Sequence, residues 1–97
     1  MENEIYLTKL YDYYGSILTD KQREYFEDYY FNNLSLLEIS ENYNISRNAV
    51  HKQLKEAVLK LEDLESKLNI YEKMKKIENI LENNPDILDK IKQIMNK

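Results

Sequence analysis

No cysteine occurs in the 97 residues, so disulfides and thiolate metal sites are excluded, and a reducing compartment suits the chain. One glycine and one proline leave almost no punctuation for tight β-turns, which points away from sheets and toward long helices. The single histidine, His51, has no second histidine or cysteine to complete a metal site, so no metal and no other cofactor is expected. A Gly-rich phosphate loop, a Cys–His pair and a serine nucleophile motif are all missing, so the chain does not read as an enzyme. No apolar run approaches the roughly 18 residues of a membrane span. The opening Met1-Glu2-Asn3-Glu4 is acidic where a secretory leader needs positive charge, so a cytoplasmic protein is expected.

Charge is present in quantity but unevenly placed. The net charge is −4; residues 1–44 carry nine acids and three bases, residues 45–60 four bases and one acid, and residues 61–97 eight acids and seven bases. A protein held to nucleic acid by broad phosphate attraction is normally basic overall, so binding of that kind has to be local to the one basic segment.

The periodicities predict an all-α fold. Residues 3–14 place Ile5, Tyr6, Leu7, Leu10, Tyr11, Tyr13 and Tyr14 at helical spacings, with Gly15 as a left-handed helix end. Thr19-Asp20-Lys21-Gln22 has the form of a capping box, and Tyr25, Phe26, Tyr29 and Tyr30 then make one broad aromatic face before Asn32-Asn33 breaks the rhythm. Core packing accounts for that face better than a stacking platform for single-stranded nucleic acid. Ser35-Leu36-Leu37-Glu38 is a second capping box and predicts a short helix to Tyr43. Asn44 tolerates the left-handed region of a sharp turn, Ser46 is an N-cap, and Val50, Leu54, Ala57, Val58 and Leu61 form the apolar stripe of a fourth helix.

Each position in Leu36-x-x-Ile39-Ser40, Asn44-Ile45-Ser46, Val50 and Leu54 has a packing role, and together they read as a helix-turn-helix. With the helix before it, the stretch from Leu18 to Leu61 resembles the promoter-recognising region 4 of bacterial sigma factors. A closer resemblance rests on the block from Tyr11 to Arg23 (Tyr-Asp-Tyr-Tyr-Gly-Ser-Ile-Leu-Thr-Asp-Lys-Gln-Arg), with Leu34 to Ile39 and Ile45 to Val50. These are similar to the YlxM family of small bacterial proteins over about residues 5–70. The resemblance implies a cytoplasmic helical protein tied to the signal recognition particle pathway, and no mechanism.

Two functions from different classes follow. The first is a DNA-binding regulatory protein whose fourth helix enters a major groove. Arg47 and Asn48 then read base edges, Lys52 and Lys55 meet phosphates, and His51 serves either purpose. The plain alternative for these five residues is the solvated face of an amphipathic helix. The second function is a docking module for protein or RNA of the signal recognition particle, to which the acidic first 44 residues lend themselves.

Residues 1–68 are expected to form the helix-turn-helix domain and residues 69–97 a C-terminal helical extension. Leu61, Leu64, Leu68 and Tyr71 keep a heptad rhythm that would continue the fourth helix, with Met74, Ile77 and Leu81 following after a stammer, while a break near Asn69 fits equally. Asn83-Asn84-Pro85 marks a boundary, with Asn84 as N-cap and Pro85 at the first helical position. The last helix carries Ile87 or Leu88, Ile91, Ile94 and Met95. The apolar stripes of this extension are covered either by folding back as a hairpin or by pairing in a homodimer.

Overall fold

The computed structural model describes residues 3–96. Among the described residues six α-helices follow one another: α1 (Glu4–Tyr14), α2 (Asp20–Tyr30), α3 (Leu36–Tyr43), α4 (Arg47–Leu68), α5 (Ile70–Ile80) and α6 (Pro85–Met95). A 3₁₀ turn, Gly15–Ile17, links the first two, and the described residues contain no strand.

Local chemistry sets most of these boundaries. Asn3 caps α1 by accepting from the Tyr6 N–H at 3.1 Å. Both predicted capping boxes are complete. Thr19 and Gln22 each accept from the other's backbone N–H at 3.1 Å, and Ser35 and Glu38 do the same at 3.0 Å. Gly15 departs from expectation. Its φ of −57° is right-handed, so it does not serve as a left-handed cap. Space explains the glycine instead: a Cβ there would stand 3.0 Å from two ring carbons of Tyr11. Asn84 also departs, since its side chain makes no capping hydrogen bond, although Pro85 does open α6.

Helices α1, α2 and α3 all pack on α4, which is the spine of the bundle. Val50, Leu54, Ala57 and Leu61 of α4 are each 0% exposed and meet Leu10, Phe26 and Ile39 from the other three helices, equally buried. The aromatic face of α2 lies in this core: Phe26 stacks on Tyr11 with centroids 4.6 Å apart and planes 8° from parallel, and touches Tyr30 at 4.5 Å. Ile5, by contrast, stands in solvent.

The long helix breaks where the heptad rhythm left two possibilities. Asn69, at φ 55° and ψ 33°, ends α4 and begins α5 with no loop between them. Glu65 makes this junction. Its buried carboxylate accepts from the backbone N–H of Tyr71 at 3.0 Å, that of Glu72 at 3.2 Å and the Tyr14 hydroxyl at 2.7 Å. The Tyr14 oxygen in turn accepts from the Ile70 N–H at 3.1 Å. Three leading N–H groups of α5 are thus satisfied by side chains from α1 and α4, and the positive end of the α5 dipole lies on a carboxylate. Met74 then enters the core and Tyr71 meets Tyr6 edge to face at 5.0 Å.

Buried tyrosines give the fold an alkaline limit. Burial first, and then hydrogen bonds to Glu65 and Glu27, push the hydroxyls of Tyr14 and Tyr11 up to about 12; burial does the same for Tyr30. An unfolded tyrosine gives up its proton near pH 10. Between about pH 10 and 12 the unfolded chain therefore holds fewer protons than the folded one, and stability falls as pH rises through that window. Urea midpoints should show no tyrosine-linked slope below pH 10 and drop steeply above it, in step with tyrosinate absorbance. A midpoint unchanged to pH 12 would contradict this.

Candidate nucleic-acid interface

Helices α3 and α4 meet across Asn44, Ile45 and Ser46. Asn44 adopts φ 53° and ψ 47°, the left-handed conformation the turn demands, and its N–H and that of Ile45 return to the last carbonyls of α3. Ser46 then caps α4 by accepting from the Ala49 N–H at 3.0 Å. Ile39 and Val50 are fully buried between the two helices. Ser40 is buried with them, its hydroxyl donating to the Leu37 carbonyl at 2.7 Å, so a small polar side chain sits at the close approach without an orphan group.

This turn aims the first two and a half turns of α4 outward. Arg47, Asn48, His51, Lys52 and Lys55 are all exposed. At ~100° per residue they cover an arc of about 140°, centred about 120° from the buried stripe. Among the described residues no carboxylate pairs with Arg47, Lys52 or Lys55, and no acid occupies the first turn of α4. The helix changes character beyond Lys55, where Glu62 and Asp63 come to its exposed surface. Among the described residues, positive charge without a carboxylate partner is therefore densest at the end of α4 nearest the turn, with Lys60, which donates to Gln22 at 2.9 Å, standing further along.

Arg47, Asn48 and His51 line one shallow concavity together with Ser46 and with Leu36 from the start of α3. Lys52 and Lys55 stand outside it, further round and further along the helix. The floor contributed by Leu36 was not evident from the sequence, where Leu36 read only as a core residue of α3. The Ser35 capping box signalled where α3 begins, and the juxtaposition of that turn with the first turn of α4 is a tertiary feature. On the neighbouring helices exposed acids dominate: Glu38 and Glu41 on α3, and Asp20, Glu24 and Glu27 on α2.

The described residues include no group of three or more histidine, cysteine, aspartate or glutamate side chains placed to hold a metal ion. They also include no helix long and apolar enough to cross a membrane.

A short capped helix, a left-handed asparagine turn and a longer helix presenting an exposed first face define an all-α helix-turn-helix protein. The chain belongs to the UPF0122 family, whose model, described as "Putative helix-turn-helix protein, YlxM / p13 like", matches residues 1–97. A UPF0122 protein of Caldanaerobacter subterraneus subsp. tengcongensis is 53% identical, over 84% of this chain and 74% of that protein. One from Halalkalibacterium halodurans is 37% identical over 93% of this chain and 83% of its own length. One from Malacoplasma penetrans is 50% identical over 64% and 58%, respectively.

Proposed function

We propose that the protein binds double-stranded DNA, with the N-terminal turns of α4 in the major groove. The observation that carries this is the exposed, unpaired set Arg47, Asn48 and His51 around the concavity at the helix-turn-helix. Arginine presents a fork that fits the two acceptors of guanine, and an asparagine amide matches the donor and acceptor of adenine, so Arg47 and Asn48 are the readers. Lys52 and Lys55 flank them as phosphate contacts, and His51 reaches either. The acids beyond the first turns of α4 limit contact to a short footprint, so binding depends on local geometry and not on net charge. DNA as ligand makes the cytoplasm the place of work, and gene regulation the role that such a reader serves.

Mobility shift at low and moderate salt tests the proposal. Arg47→Ala should weaken preferred sequences by about 1–3 kcal/mol and random ones far less. Lys52→Ala and Lys55→Ala should weaken all sequences alike, each flattening the salt slope by about one unit. Absence of DNA binding by the unmutated protein at low salt overturns the reading.

One observation favours a second reading, in which the same scaffold docks on protein or RNA. The exposed acids of α2 and α3 repel phosphates but suit a basic protein surface. The signal recognition particle, which the family resemblance brings in, supplies the test: its RNA and its protein are titrated beside random DNA. Tight binding to either with none to DNA selects this reading.

A further inference from the structure

The concavity at the helix-turn-helix has one apolar wall. Ser46, Arg47, Asn48 and His51 all bring hydrogen-bonding side chains to it, and Leu36 does not. Leu36 is half-buried at the first position of α3: part of its side chain packs on the core and part is left to the concavity. Its place is fixed from two directions. The Ser35 capping box, with both hydrogen bonds at 3.0 Å, holds the first turn of α3, and the core fills the space behind the leucine. The helix pair is sealed further in by the fully buried Ile39 and Val50, so the open edge of Leu36 is free to meet a ligand.

The chemistry of the major groove limits what that ligand group can be. A base-pair edge there offers hydrogen-bond donors and acceptors and one kind of apolar group, the C5 methyl of thymine. 5-Methylcytosine carries the same methyl at the same ring position. Arg47 and Asn48 occupy the first two positions of α4, the end of a reading helix that comes closest to base edges. Their polar groups match guanine and adenine, whereas Leu36 matches only the methyl. An apolar wall of fixed position gains most from such a contact, because little side-chain freedom is left to lose on binding.

We propose that Leu36 is a specificity-determining residue: it takes the C5 methyl of a pyrimidine beside the bases read by Arg47 and Asn48, so the target is a duplex with a methyl-bearing base at that step. This rests on the DNA reading above and deepens it, since it adds a feature of the target that none of the charges on α4 selects. The contact involves no ion, so its contribution is indifferent to salt, unlike those of Lys52 and Lys55.

A preferred duplex is first selected from a random pool with the full chain. Each thymine in it is then replaced singly by deoxyuridine, which removes the methyl and keeps every hydrogen-bonding group. Mobility shift should show affinity falling about 3–5-fold at one thymine, the size expected for one buried methyl, with the same ratio at low and moderate salt. Leu36→Ala should bind the thymine and deoxyuridine duplexes equally. Leu36→Gln, whose stem still covers the core while its amide faces the concavity, should do the same and guards against a variant that merely unfolds. Leu59→Ala, at an exposed site further along α4, should keep the full ratio. Methylating single cytosines at C5 separates the two sources of the group: a gain of similar size there, lost in the Leu36 variants and without a thymine effect, assigns the contact to a methylated site. Equal binding of all these duplexes, or a ratio that survives both Leu36 variants, overturns the proposal and leaves the DNA reading standing. No DNA binding at low salt removes both.

Discussion

Replacing Phe26 by alanine is expected to lower the unfolding free energy by about 3–5 kcal/mol, the range for deleting a buried aromatic ring and leaving its cavity. Phe26 is fully buried, stacks on Tyr11 from α1 and touches Tyr30 of its own helix, while α2 rests on α4. A ring that joins three helices leaves no single neighbour free to fill the void. A domain of this size has on the order of 5–15 kcal/mol of stability in all. The melting temperature should therefore fall by roughly 15–30 °C. Phe31, 48% exposed at the end of α2, offers the contrast, and its alanine variant should cost less than about 1 kcal/mol. Urea titration of both variants decides the matter; equal losses would mean that the aromatic core is not where stability resides.

Glu65→Ala should be the second large effect, at about 2–4 kcal/mol, because it strands the Tyr71 and Glu72 N–H groups and the Tyr14 hydroxyl in a partly closed junction. Glu65→Gln should recover part of the loss: one amide oxygen still accepts, but the amide N–H₂ now faces a donor. Hydrogen exchange locates the damage. Amides of α5 should lose protection ahead of those in α4, and uniform loss along the chain would show that the junction is not a separate unit.

The contrast between these two sites shows what local sequence rules convey. The starts of α2, α3 and α4 were legible because each depends on a hydroxyl and a backbone N–H three residues apart, at Thr19, Ser35 and Ser46. The stripe from Val50 to Leu61 was legible because helical period and burial coincide there. The break at Asn69 was legible only as one of two equal alternatives. Asparagine in the left-handed region competed with an unbroken heptad rhythm, and the deciding partner, Tyr14, lies 51 residues from Glu65. Leu64 fitted a heptad seam as well as a core position, and the sequence does not show that the chain's own core would cover it. Gly15 read as a flexible cap, whereas its reason is the ring of Tyr11 one turn earlier. At the candidate site, the exposure of these α4 residues followed from their angle to the stripe. The concavity they line with Leu36 needed the third dimension.

The 22-residue helix α4 has a consequence beyond packing. Its first turn holds Arg47 and Asn48, its middle is the core, and its last turns hold Glu65. These stations lie along one rod about 33 Å long, without proline or glycine to give it slack. The exposed end at Arg47 and the junction at Glu65 therefore share one axis, on which the three packed helices also rest.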